Sequence, residues 1–316
     1  MERFKKILFV NDGKTKREVP LERAVNLAKR NQASLTVVEV LERPPRDTQT
    51  FLKTSIIKGI VKTAAQETTE RLERLVAPIK KEGVETTSKI LMGTPFLEII
   101  REVLRNNHDL VMLSPRKKAK VKMILFGSRT MHLIRKCPCP VWAIKPTKRK
   151  KYARILAAVD PLPFDDERNA LNIKIMEMAT SLAELEGSEL HVVHCWTPYL
   201  EARPRGGSSL TFNEVDKLVR DIRRTHKMRF DKFLDGFNLK TLPHKVHLLK
   251  GDPAALIVDL ARKKRIDLVV MGTVCRTGLA GFFIGNTAEM VVQEIDCSVL
   301  AVKPDGFVTP VKLEEE

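Results

Sequence analysis

Short apolar runs alternate with stretches of helical periodicity along the whole chain. In the first half, runs rich in Val, Ile and Leu predict strands near 5–11, 34–41, 85–92, 109–114 and 139–145. Most are nearly continuous in apolar character, as strands covered on both faces are. Helices are predicted between them, near 18–31, 50–82, 95–107 and 128–136. The second helix carries Ile56, Ile57, Ile60 and Val61 at helical spacing and stops at Gly83, a residue suited to a C-terminal cap. In the second half, strands are predicted near 153–159, 188–195, 244–250, 267–272 and 298–303. Regular alternation of strand and helix implies a parallel sheet joined by right-handed crossovers.

The pattern occurs twice. Ile7-Leu8-Phe9-Val10-Asn11-Asp12 returns 148 residues later as Ile155-Leu156-Ala157-Ala158-Val159-Asp160. Gly93-Thr94-Pro95 and Asp109-Leu110-Val111-Met112-Leu113 return 158 residues later as Gly251-Asp252-Pro253 and Asp267-Leu268-Val269-Val270-Met271. Cys139-Pro140-Val141-Trp142-Ala143-Ile144-Lys145-Pro146 returns at the same offset as Cys297 through Pro304. One order of elements repeated over so long a period is a duplication and not a solenoid, whose period is about 20–50 residues. The chain is therefore read as α/β, with two tandem Rossmann-like domains (the adenine-nucleotide alpha-hydrolase-like arrangement). Each is expected to be a five-stranded, mostly parallel sheet with helices on both faces. The expected domains are 1–147 and 152–304, followed by a C-terminal tail, 305–316. The basic stretch Lys145–Lys151 links them, and Arg203-Pro204-Arg205-Gly206-Gly207-Ser208-Ser209 reads as a loop.

Charge separates the copies. The chain is 43% hydrophobic and 30% charged, with a net charge of +17. Residues 1–150 hold 33 Lys and Arg against 15 Asp and Glu, a net of +18, which leaves −1 for the remainder. A basic half implies an anionic partner, such as nucleic acid or an anionic lipid surface, or else serves solubility alone. No apolar run reaches the roughly 18–20 residues that span a bilayer. The charged start, Met1-Glu2-Arg3-Phe4-Lys5-Lys6, is unlike a signal peptide, so a cytoplasmic protein is expected. The five cysteines do not read as a disulfide framework in a chain of this size. Cys137-Pro138-Cys139 is too tight for a usual zinc pair and lacks a second pair.

Open parallel sheets bind ligands at the carboxyl ends of their strands, where strand order reverses. Three places in each copy should meet there. They are the acid ending the first strand, Asp12 or Asp160; the end of the second, Val40 or Cys195; and the loop from the fourth strand to the last helix. In the second copy that loop runs from Met271-Gly272-Thr273-Val274-Cys275-Arg276 to Gly285-Asn286-Thr287-Ala288. With both copies, this loop resembles the universal stress protein family, and its tandem E-type members in particular. The family's nucleotide-binding members carry glycine, two residues, glycine, nine residues, glycine, then serine or a similar small polar residue. The resemblance implies a small anionic ligand, with ATP as the cofactor to test, and pairing of the two domains within the chain. Glycines admit the backbone to phosphate, and free N–H groups at a helix start favour an anion.

The departures from that pattern are specific. Cys275 stands at the middle glycine and Asn286 at the serine. In the first copy Ser114 and Lys117 occupy the first two glycine positions, and only Gly127-Ser128 matches. The loop between them is basic, with Arg116, Lys117, Lys118, Lys120 and Lys122 as candidate anion contacts. The bland alternatives are that Asp12 and Asp160 cap turns and that Gly272 and Gly285 serve only the turn and helix packing. His191 and His194 point to opposite faces of their strand, as do His244 and His247, so no metal site is expected. No nucleophile elbow is present and no catalytic residue is assigned. The function expected is a stress-response ligand-binding or regulatory protein. A nucleic-acid- or lipid-associated protein acting through the basic half is the second reading, and a weak ATPase the third.

Overall fold

The computed structural model describes residues 4–13, 18–42, 54–114, 126–145, 151–161, 166–198, 212–273 and 285–313. They form two compact units. One holds the described residues up to 145 together with those from Ser298 onward; the other holds 151–273 and 285–297. Among the described residues no helix is long and apolar enough to cross a membrane.

The first unit runs β1 (Lys6–Val10), α1 (Val19–Asn31), β2 (Ser34–Leu41), α2 (Thr54–Lys81), β3 (Thr86–Met92), α3 (Pro95–Asn106), β4 (Leu110–Leu113), α4 (Ser128–Lys136) and β5 (Val141–Ala143). Its hydrogen-bonded order is β3-β2-β1-β4-β5, all parallel. The second unit runs β6 (Arg154–Ala158), α5 (Asp166–Glu186), β7 (Glu189–Trp196), α6 (Phe212–Leu234), β8 (His244–Lys250), α7 (Pro253–Lys264), β9 (Leu268–Gly272) and α8 (Asn286–Glu294). Its order is β9-β6-β7-β8, again parallel. Strand order therefore reverses beside β1 in one unit and beside β6 in the other, which puts the ligand crevice between β1 and β4 and between β6 and β9.

The repeated sequence signatures have repeated structural causes. Gly93 and Gly251 both take positive φ, 143° and 134°, before a proline-led helix. Their amides donate to the last carbonyls of the second strand, Leu41 and Trp196 respectively, each at 3.0 Å. A side chain would be strained there, so glycine recurs. The Asp109 carboxylate accepts the amides of Lys5 and Lys6, and that of Asp267 accepts those of Ala153 and Arg154. Each aspartate pins the start of the first strand to the start of the fourth.

The side chains of Ile56 and Ile57 on α2 lie outside those described, and burial on this helix is carried further along. Ile60 is 56% exposed, whereas Thr68, Leu72, Leu75, Val76 and Ile79 are buried at helical spacing. The C-terminal half of the helix packs on β3 because that half lies over the sheet. The last strand, β10 (Ser298–Val302), is the one expected near 298–303. It groups with the first unit and pairs antiparallel with β5, with Val299 opposite Ala143 and Ala301 opposite Val141. All five of its residues are buried. A short edge strand such as β5 leaves unpaired backbone groups, and β10 satisfies them.

Candidate functional site

At the carboxyl end of β1 the first unit carries a closed network of charge. Asp12, just beyond the strand, receives both guanidinium nitrogens of Arg129, at 2.5 and 2.9 Å. Arg129 also reaches the Ser114 carbonyl at 3.4 Å. The Asp12 side chain is 8% exposed. Beside it, Glu39 on β2 accepts from Asn11 at 3.0 Å and from Arg71 on α2 at 2.6 Å. Forked guanidinium–carboxylate pairs of this kind satisfy both partners geometrically. Of the other predicted residues, Val40 is buried on β2, Gly127 caps α4, and Ser128 begins that helix on the surface. Asp12, Ser114, Gly127 and Ser128 do converge, but Arg129 lies in the crevice among them. The basic loop residues Arg116, Lys117, Lys118, Lys120 and Lys122 lie outside the described residues.

The second unit builds the same place from different side chains. Asp160 follows β6, and its backbone is clasped by Asn172 of α5, with two hydrogen bonds of 2.9 Å. Its carboxylate approaches His194 Nδ1 at 3.5 Å and is 33% exposed. His194 Nε2 meets His226 Nδ1 of α6 at 2.9 Å. His226 in turn stacks near Trp196, with ring centroids 5.5 Å apart. By register, His194 occupies the place of Glu39. By the repeat offset, Thr287 occupies the place of Arg129.

The neck of the candidate loop is formed. The Gly285 amide donates to the Thr273 carbonyl at 3.1 Å, so the exit of β9 and the first turn of α8 lie together. Gly285 is the N-cap of α8, and Asn286 and Thr287 begin the helix. Thr273 is 1% exposed, and its hydroxyl is buried without a hydrogen-bond partner. A buried hydroxyl and a helix N-terminus next to one another offer donors to an anion. Gly272 has a packing reason as well: a Cβ there would stand 2.8 Å from Leu171 Cδ2 of α5. Cys195 is buried on β7. Cys275 and Arg276 lie outside the described residues.

The histidines fall as the strand alternation predicts. His191 faces His247, at 2.9 Å, and His194 faces away from both, toward α6. Burial first, then the charges of His191, Lys264 and Lys245, bring His247 down to about 4. The Lys245 ammonium on Glu189 holds that carboxyl at about 2. Sequence reasoning did not single out Arg129, Arg71, Glu39 or His226. Arg129 carried a signal, because it directly follows the matching Gly127-Ser128 and faces no counterpart charge in the second copy. Arg71 and His226 sit on helices whose register against the sheet only packing decides.

Comparison with known proteins gives the family. The sequence model of the Universal stress protein family matches residues 3–145 and again 151–303. Universal stress protein E of Escherichia coli K12 is 33% identical over 240 residues, covering 74% of this chain and 73% of that one. Universal stress protein E of Photorhabdus laumondii is 26% identical over 319 residues, across the whole of both chains. Among solved structures, a functionally unknown protein from Pseudomonas aeruginosa PAO1 superposes with a TM-score of 0.71 at 24% identity, covering 96% of this chain and 94% of that one.

Proposed function

Because the chain belongs to the universal stress protein family, as a member with two family domains, we propose that it is a cytoplasmic stress-response protein that binds a small phosphate-bearing ligand in its second unit only. The first unit is assigned no ligand in this reading. The observation that carries this reading is the contrast between Asp12 and Asp160. Asp12 is buried under the forked Arg129 pair, whereas Asp160 is a third exposed and has Thr287 where Arg129 would be. Phosphate then lies at the first turn of α8, where the Asn286 and Thr287 amides and the Thr273 hydroxyl can donate to it. Asp160 faces the neutral end of the ligand. The role in this reading is regulatory, the ligand being bound and released without being turned over.

Titration calorimetry with magnesium ATP on the full chain tests this. One site per chain is expected, and Thr287→Arg should weaken binding at least about tenfold by placing a guanidinium against Asp160. Two equivalent sites, no binding, or unchanged affinity in Thr287→Arg would sink the reading. Phosphate release from the bound nucleotide over many turnovers would replace it with the ATPase reading.

A further inference from the structure

One motif of the sequence takes no part in either crevice. Cys137 ends α4, its amide donating to the Leu133 carbonyl at 2.9 Å, and Pro138 turns the chain so that Cys139 comes back beside it. The two sulfurs lie 3.5 Å apart, at hydrogen-bond distance. Cys137 is fully buried and Cys139 is 8% exposed.

A third group shares this pocket. Lys303, just beyond β10, is 2% exposed. Its ammonium donates to the Arg135 carbonyl at the end of α4, at 3.2 Å, and sits 4.3 Å from the centre of the Phe307 ring. Among the described residues no carboxylate pairs with it. A buried cation without a counter-charge is costly, and burial brings Lys303 down to about 8. Among the described residues, the charges that favour its ammonium are those of the Cys137 and Cys139 thiolates. Burial pushes the Cys137 thiol up. The Cys139 thiol and amide at its sulfur, with the Lys303 ammonium, outweigh burial and hold it below the ordinary thiol value. Cys139, which shares its proton with Cys137 and is buried, is pushed well up. The two thiols are thus shifted in opposite directions, Cys137 toward easier and Cys139 toward harder ionisation.

The second copy has no such arrangement. Ile295 stands at the position of Cys137, and Cys297 at that of Cys139 is alone. The pair with its lysine belongs to the first unit.

We propose that Cys137 and Cys139, whose sulfurs already lie at hydrogen-bond distance, are a redox-active dithiol that a peroxide converts into an intrachain disulfide, with the Lys303 ammonium on the end of α4 as a positioning residue for the pair. The Cys137 sulfur attacks one peroxide oxygen. The S–O bond forms as the O–O bond breaks, and the departing hydroxide leaves as water with a proton from solvent, which replaces the one Cys137 released on ionising. The Cys139 sulfur then attacks the resulting sulfenic acid. The S–S bond forms, the S–O bond breaks, and the hydroxyl leaves with the Cys139 proton as a second water. Two thiols lose two electrons and one hydrogen peroxide becomes two waters. Rotation about the Cα–Cβ bonds closes the remaining gap between the sulfurs, without the movement of a helix that distant cysteines would need.

The test uses the full reduced chain. It is exposed to one equivalent of hydrogen peroxide, alkylated, digested with trypsin and weighed. Both cysteines lie in the single tryptic peptide that follows Lys136. The expected product is that peptide unalkylated and 2 Da lighter, restored by dithiothreitol. In Cys139→Ser, Cys137 should stop at sulfenic acid and be captured by dimedone. In Lys303→Met, disulfide formation should slow about tenfold at neutral pH and recover at high pH, where the thiol ionises unaided. Full alkylation of both cysteines after peroxide, or oxidation that links separate chains instead, overturns the proposal. An unchanged rate in Lys303→Met overturns the part given to the lysine.

Discussion

The two crevices occupy the same place in two copies of one fold, yet they are filled by opposite means. In the first, permanent charges close on one another: Asp12 with Arg129, and Glu39 with Arg71 and Asn11. In the second, Glu39 is replaced by His194, which meets His226, and Arg129 is replaced by Thr287. The glycine motif is incomplete in both copies, though the second keeps Gly272 where the first has Ser114. A sharper separation is the side chain two residues after the matching glycine of the last helix. A guanidinium at that position forks onto the strand-end aspartate in the first copy; in the second the aspartate meets His194 instead and is a third exposed.

The largest effect expected from that contrast is on stability. Arg129→Thr, which gives the first copy the residue of the second, should leave Asp12 as a buried carboxylate without its forked partner. Breaking such a pair costs about 3 kcal/mol. Urea unfolding should show that loss in the first unit. A change below about 1 kcal/mol would mean that water or another cation answers Asp12 equally well, and the crevice would not be closed in the sense described.

A smaller effect separates packing from phosphate contact. Gly272→Ala drives a Cβ to within 2.8 Å of Leu171 Cδ2, which should cost about 1 kcal/mol of second-unit stability through overpacking. Gly127→Ala meets nothing within 4 Å and should cost about 0.5 kcal/mol or less, as an N-cap change. Thermal melts of the two variants decide it. Equal costs would show that Gly272 is not held by its contact with α5.

The smallest effect is one of pH. His191 and His247 meet across β7 and β8, whereas in the first copy the residue in the register place of His191, Thr36, meets Thr87 directly opposite, hydroxyl to hydroxyl at 3.2 Å. His247 titrates near 4 in the folded chain, below the ordinary histidine value of 6.5. Between those values the unfolded chain binds more protons, so stability falls as pH drops from about 6.5 toward 4 and is unaffected above 6.5. Melting temperatures of the parent and of His247→Gln across that range should show a shallower slope in the variant. Parallel slopes would put the acid sensitivity elsewhere.

Local chemistry made much of this legible. Gly93 and Gly251 recur because a positive φ recurs, and Asp109 and Asp267 recur because each pins two strand starts. Both causes act within a few residues or along one strand pair, and so leave a repeated mark. The candidate residues Asp12, Ser114, Gly127 and Ser128 were gathered by the same logic. Their meaning was not legible, because Arg129 reaches Asp12 across 117 positions and Arg71 reaches Glu39 across 32. An arginine on an exposed-looking helix start is written the same way whether it meets solvent or a carboxylate.

The order of elements, the duplication and the parallel α/β class follow from the sequence alone, because apolar periodicity and repeated turn residues are properties of contiguous segments. Tertiary structure decided what depends on distant segments meeting. It buried Thr68, Leu72, Leu75, Val76 and Ile79 of α2 and paired β10 antiparallel with β5. It closed one crevice with Arg129, and it brought Lys303 beside Cys137 and Cys139. In each case the outcome turns on burying a charge or an unpaired backbone group, whose cost depends on what surrounds it and not on its own neighbours along the chain.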